Sequence, residues 1–265
     1  MLKRGLFWVG LLSALAVSAQ QPLLPLYWQT SENPAVLSLL EKKIGKVVAD
    51  AEKADNDFEH LAQLFKATQA RILRSYSAYT SIDGLARGNY DCLTATALFA
   101  TLLSQQQFDF DIIETNYHIF LKVRTSQGEV LLETTDRFHG FVSNPMEIEQ
   151  RIDGYRKNLV AQAGPGKRAH DYSFNLYTKV LPEQVAGLLY FNQAVNAFNK
   201  GSLALCTEKL LLARQHYETP RITELAALVL ESLHHRNELS STEKEQIRNK
   251  FMASANQLGV PVASR

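Results

Sequence analysis

Cys92, His118 and Asp136 are the residues whose types and order could perform chemistry. A thiol nucleophile needs a base to take its proton and a third group to orient and charge that base. Cysteine, histidine and aspartate fill those roles in chain order. Cys92 stands in Gly88-Asn89-Tyr90-Asp91-Cys92-Leu93-Thr94, where loop residues give way to the apolar run Ala95 to Leu103. The start of a helix supplies free N–H groups and partial positive charge, which favour thiolate over thiol. Beside an imidazolium, a cysteine of ordinary pKa about 8.5 can fall by several units. The Cys92 backbone N–H is the natural first donor to a developing oxyanion, and Tyr90, Asn116 and Gln69 are candidates by type for the second.

This chemistry requires no cofactor. His118, Asp136 and His139 lie close in sequence, but no paired-histidine motif at helical spacing accompanies them, so no metal is expected. His234-His235 falls in a helical surface pattern, and His60, His170 and His216 belong to no constellation.

The elements that must position these residues follow from periodicity. Asn33-Pro34 opens a helix carrying Val36, Leu37, Leu40, Ile44, Val47 and Val48, and a second amphipathic segment carries Phe58, Leu61, Leu64, Phe65, Ile72 and Leu73. Ser77 to Asp91 loses periodicity and contains Gly84 and Gly88, as a loop leading into a site should. From Cys92 a helix places Ala95, Leu98, Phe99, Leu102 and Leu103 on one side and ends near Ser104 to Gln107. Phe108 to Glu114, Tyr117 to Arg124 and Glu129 to Thr135 read as strands, the last two joined as a hairpin through Thr125-Ser126-Gln127-Gly128. A three-residue loop with Gly128 in the left-handed position sets His118 opposite Asp136 on one face, and a one-residue slip removes that pairing.

Asn144-Pro145 opens a further helix through Tyr155, and Gly164-Pro165-Gly166-Lys167-Arg168 punctuates the chain. A domain boundary is expected between about 165 and 182. The region 182–258 is helical, with breaks at Gly201, Thr219-Pro220 and Leu239-Ser240. Tyr190, Ala194, Ala197, Gly201, Leu210 and Ala213 fall near the large and small positions of a tetratricopeptide-type helix pair, with a generic helical bundle as the alternative.

Met1-Leu2-Lys3-Arg4, the apolar run Gly5 to Val17 and Ser18-Ala19-Gln20 have the three parts of a secretory signal over residues 1–19, with cleavage expected after Ala19. No later run reaches the ~20 residues of a spanning helix, so no integral membrane segment is expected after cleavage, and the protein is expected to be periplasmic or secreted. A net charge of +1 without a basic cluster argues against a nucleic-acid partner. In an oxidising compartment the two cysteines, Cys92 and Cys206, invite a disulfide, although their separate helical frames are a poor setting for the close Cα approach it needs.

Gly88-Asn89-Tyr90-Asp91-Cys92 entering an apolar helix, the strand Tyr117-His118-Ile119-Phe120-Leu121-Lys122-Val123 and the strand Val130-Leu131-Leu132-Glu133-Thr134-Thr135-Asp136 together resemble the transglutaminase-like superfamily of papain-type thiol enzymes. The resemblance covers roughly residues 35 to 160. It implies an α+β core over residues 35–165, with helices packed on a small antiparallel sheet, so that with the helical pattern of 182–258 the expected fold is α+β: that core followed by an all-α region. It carries roles to Cys92, His118 and Asp136 alone. Crosslinking transglutaminases show Gly-Gln-Cys-Trp at the nucleophile where this chain has Tyr90-Asp91-Cys92-Leu93. The pair Asp91-Cys92 is also similar to cell-wall peptidases of the NlpC/P60 type. The expected activity is attack on an amide or peptide carbonyl through a Cys92 thioester, with the acyl group passed to water or, as an acyltransferase, to an amine, and with a peptide or protein substrate, cell-wall peptide among them. The alternative is a non-catalytic scaffold that holds a protein partner through its C-terminal helices.

Overall fold

The computed structural model describes residues 23–157, 176–236 and 239–257. The predicted signal segment and the Gly164 to Arg168 punctuation lie outside them. Helices and one antiparallel sheet form an α+β arrangement. Among the described residues no helix is long and apolar enough to cross a membrane.

In chain order the first part contains α1 (Leu23–Trp28), α2 (Pro34–Ala51), α3 (Asp57–Arg71), β1 (Ser75–Tyr76), α4 (Ile82–Arg87), β2 (Asn89–Tyr90) and α5 (Cys92–Gln105). Then come β3 (Asp109–Thr115), β4 (Ile119–Thr125), β5 (Gly128–Leu132), β6 (Phe141–Val142), α6 (Pro145–Arg156) and β7 (Tyr177–Val180). Four helices follow: α7 (Pro182–Asn199), α8 (Leu203–His216), α9 (Pro220–His235) and α10 (Ser241–Gln257). The large sheet has the order β6-β5-β4-β3-β7, and every neighbouring pair in it is antiparallel.

α5 is buried along nearly its whole length, from Leu93 to Leu103. A helix apolar on all sides is a core helix, and α5 lies between the sheet and the helices α1, α4 and α7. The sheet separates two apolar layers. Ile119, Leu121, Val123, Val130 and Leu132 face the α5 core, while Phe120 and Leu131 face α6 through Ile148, Ile152 and Tyr155. Alternation along the strands produces this division.

The β4–β5 register differs from the expected one. Thr125 pairs with Gly128 and Leu121 with Leu132, so the turn is the two residues Ser126 and Gln127. The Asp57 carboxylate accepts the backbone N–H of Ser126 at 2.7 Å and also its hydroxyl, holding this tight form. Gly128 has φ +119°, a conformation that suits glycine, but it is a paired strand residue. The one-residue difference reverses which side chains share a face.

The helical region is continuous with the first part. β7 adds to the free edge of β3, and Val180, Val185, Ala186, Leu188 and Leu189 lie in the same core as α5. From Phe191 onward α7 changes cores, joining α8, α9 and Ile247 of α10. Inside the expected 165–182 boundary β7 joins the sheet of the first part, and α7, which follows it, has residues in both cores. α1, which escaped sequence reading, buries Leu23 and Tyr27 in the first core, and the Tyr27 hydroxyl donates to the Pro182 carbonyl at 2.9 Å.

Candidate functional site

Cys92 is the first residue of α5, and the cap before it is unusually complete. Asp91 Oδ1 accepts the Thr94 N–H at 2.8 Å, while the Asp91 N–H donates to Thr94 Oγ1 at 2.9 Å. Such a reciprocal cap stabilises a helix start by about 1 kcal/mol. The other carboxylate oxygen of Asp91 accepts Asn192 Nδ2 of α7 at 2.6 Å. Burial pushes the Asp91 carboxyl up, against these bonds. As the first helical residue, Cys92 has a backbone N–H with no intrahelical acceptor.

His118 follows the tight turn that joins β3 to β4. The Thr115 N–H donates to the His118 carbonyl at 2.8 Å and the His118 N–H donates to Thr115 Oγ1 at 3.0 Å. α9 secures the same turn from outside: Arg221 donates to the carbonyls of Thr115 and Asn116, and its Nε lies 3.0 Å from Glu114 Oε1. Here α5 begins, β4 begins and β5 ends, so Cys92 and His118 line the same cleft, close enough for the sulfur to act on the imidazole's charge.

The third group is Glu133. Its Oε2 is hydrogen-bonded to His118 Nε2, which leaves Nδ1 for the thiol. The same Oε2 accepts the Tyr155 hydroxyl at 2.7 Å, and Oε1 accepts the Thr135 hydroxyl at 2.6 Å and N–H at 3.1 Å. The Tyr155 ring lies 5.3 Å from the imidazole, centre to centre. The His118 and Glu133 side chains are 12% and 8% exposed, dry enough for their charges to interact strongly. Burial alone would lower the His118 pKa. The Glu133 charge opposes it and, with the bond to Glu133 and Cys92 close by, raises the imidazole well above 6.5. Burial would conversely raise Glu133, and the His118 charge and the three hydrogen-bond donors hold it below the usual carboxylate range.

Asp136 does not meet His118, which corrects the expectation that it orients the imidazole. β5 ends at Leu132 and the chain turns back: the Glu133 N–H donates to the Gly140 carbonyl at 2.7 Å. Asp136 sits inside that reversal, where its Oδ1 accepts the N–H groups of Phe138 at 3.1 Å and His139 at 2.9 Å. Its other oxygen lies 3.9 Å from Arg151. The register explains the exchange. With Leu121 opposite Leu132, even positions of β4 share a face with odd positions of β5, so the face of His118 and Phe120 continues to Glu133.

Sequence reasoning missed Glu133, Tyr155 and the α7 contact to Asp91. Glu133 lay inside the strand expected from Glu129 to Thr135, and a glutamate beside two buried leucines was a usable signal. Of the other oxyanion candidates, Gln69 donates its amide to the Thr134 carbonyl at 2.8 Å, and Tyr90 packs edge-on against Tyr76. Asn116 lines the cleft beside Cys92 and His118, its Oδ1 accepting the Leu176 N–H.

Cys206 is completely buried in the second core, and burial pushes its thiol up to about 12. Both cysteines are free, so no disulfide joins them. Among the described residues no group of three or more His, Cys, Asp or Glu is placed to hold a metal ion. No family model, curated protein or solved structure matches this chain.

Proposed function

We propose that the protein is an exported thiol enzyme that cleaves an amide or peptide bond through an acyl-Cys92 thioester. What carries the reading is the placing of Cys92, at the start of α5, and His118 in one cleft, with Glu133 hydrogen-bonded to the imidazole and Tyr155 behind it. Cys92 Sγ attacks the carbonyl carbon, forming a C–S bond while the carbonyl oxygen takes the electron pair near the Cys92 N–H. The intermediate collapses, the C–N bond breaks, and His118 gives its proton to the departing amine. Water then attacks the thioester, His118 accepts the proton, and the C–S bond breaks to regenerate the sulfur. Glu133 acts as the positioning residue that orients the imidazole and stabilises its charge.

A nucleophile that opens a helix, with histidine and acid supplied from an adjacent antiparallel sheet, is also what the resemblance to the transglutaminase-like superfamily implies. Membership of that superfamily, with glutamate in the acid role, is part of the proposal. Export rests on the signal pattern of residues 1–19, and peptide substrates, including cell-wall peptide, suit that setting.

The test is labelling of the mature native protein with iodoacetamide, read by peptide mass spectrometry. Cys92 should be modified and buried Cys206 should not; His118→Ala should slow the reaction, and Cys92→Ala should abolish it. A native Cys92 no more reactive than a free cysteine peptide would refute the enzyme and leave the scaffold reading.

A further inference from the structure

We infer that the cleft between Cys92 and the C-terminal helices is a substrate subsite that takes a bulky apolar side chain, carried beside the carbonyl that Cys92 attacks. The inference rests on the thiol-enzyme reading and adds a substrate class to it. The cleft has a volume of about 660 Å³, within the range of small-ligand sites. Cys92 and His118 line it, and its far wall is built by α7 and α9.

That wall is mainly apolar, with Asn192, Asn199, Arg221 and Glu224 also on it. Leu188, Phe191, Val195 and Phe198 recur at three- and four-residue spacing and so share a face of α7, while α9 contributes Leu225 and Leu228. Val195, Phe198 and Leu228 are half-buried, leaving apolar surface for a ligand to cover. Three of the charged groups around the cleft, Asp91, Glu114 and Arg221, are engaged with one another or with polar neighbours, and Glu224 of α9 also lines it. Asp91 is bonded by Thr94 and Asn192, and Glu114 holds Arg221 and accepts the Tyr217 hydroxyl at 2.9 Å. A charged substrate side chain seated against Val195, Phe198 and Leu228 would lose its hydration, whereas a phenylalanine or leucine side chain there would gain from leaving water. The apolar wall is continuous with the nucleophile, so a side chain seated there would bring its own carbonyl to Sγ.

The experiment measures alkylation of Cys92 in the full mature protein by aminoacyl chloromethyl ketones bearing Phe, Leu, Gly, Asp or Lys side chains. Each rate is divided by the iodoacetamide rate of the same protein. The Phe and Leu reagents should exceed the Gly, Asp and Lys reagents by about 10-fold or more, the size expected of a few methylene contacts. In Leu228→Asp, and separately in the milder Val195→Asn, that ratio should fall toward the glycine value, with thermal melting showing that each variant is folded. Equal normalised rates in the wild type, or an apolar preference that survives in a folded variant, would overturn the subsite while leaving the thiol reading intact. An inert Cys92 toward iodoacetamide would remove both.

Discussion

Replacing Glu133 by glutamine keeps the shape of the side chain and removes its charge. In the native protein the imidazole is charged because Glu133 overcomes a burial effect that acts the other way. With a neutral amide in that place, only Cys92 still opposes burial, and the His118 pKa falls from its native value. Removing one partner of a buried charged pair costs on the order of 3–5 kcal/mol. The effect depends on pH in a defined direction. The raised His118 contributes stability that is complete below 6.5 and is lost as the pH climbs through its folded value. The depressed Glu133 contributes stability that is complete above 4.5 and is lost as the pH falls through its folded value. Urea midpoints of wild type and Glu133→Gln should therefore differ most between pH 4.5 and 6.5 and converge on either side. The imidazole resonances of His118 should report a protonated ring at pH 7 in wild type and a ring that titrates at lower pH in the variant. Amide cleavage should fall by roughly 10²–10⁴-fold, the usual contribution of a positioned proton-transfer group. Asp136→Asn, which touches only its own turn and Arg151, should retain activity within about threefold and leave the His118 titration unchanged. An Asp136→Asn variant that loses activity as severely as Glu133→Gln, or a His118 titration that does not move down without Glu133, would refute the reasoning.

Two other substitutions probe the support behind the site. Tyr155→Phe removes a buried donor to a carboxylate and should lower stability by about 1.5–3 kcal/mol in urea unfolding, with a smaller fall in turnover than Glu133→Gln because His118 still holds Oε2. Gly140→Ala would place a Cβ 2.1 Å from the Glu133 carbonyl and 2.2 Å from that of Asp136, so the reversal must open. More than about 2 kcal/mol of stability should be lost, and iodoacetamide labelling of Cys92 should slow as Glu133 leaves the imidazole; a fully stable and reactive variant would show that this turn does not set the third group.

Local chemistry was readable from sequence wherever one segment decides its own conformation. Asn33-Pro34 and Asn144-Pro145 do open α2 and α6, and α5 runs from Cys92 as its apolar pattern requires. The breaks at Gly201, Thr219-Pro220 and Leu239-Ser240 separate the last four helices. The short pieces were not readable. α1, α4, β6 and β7 have two to six residues each, too few to show a period, and they form because a neighbouring surface buries or pairs them. Cys92 and His118 could be chosen by type and order, but their meeting in one cleft depends on three elements sharing one end of the sheet. The acid in particular belonged to tertiary structure. Asp136 and Glu133 are equally plausible by type, and a difference of one residue in the hairpin, held by Asp57 from a distant helix, decides which shares the histidine's face. Likewise, composition shows apolar residues in the C-terminal helices, but their becoming a wall of the cleft required α7 to pass from one core into the other. A chain segment carries its own propensities and periodicity, whereas register and the meeting of distant faces are set by which packing of the whole chain buries the most apolar surface with its polar groups paired.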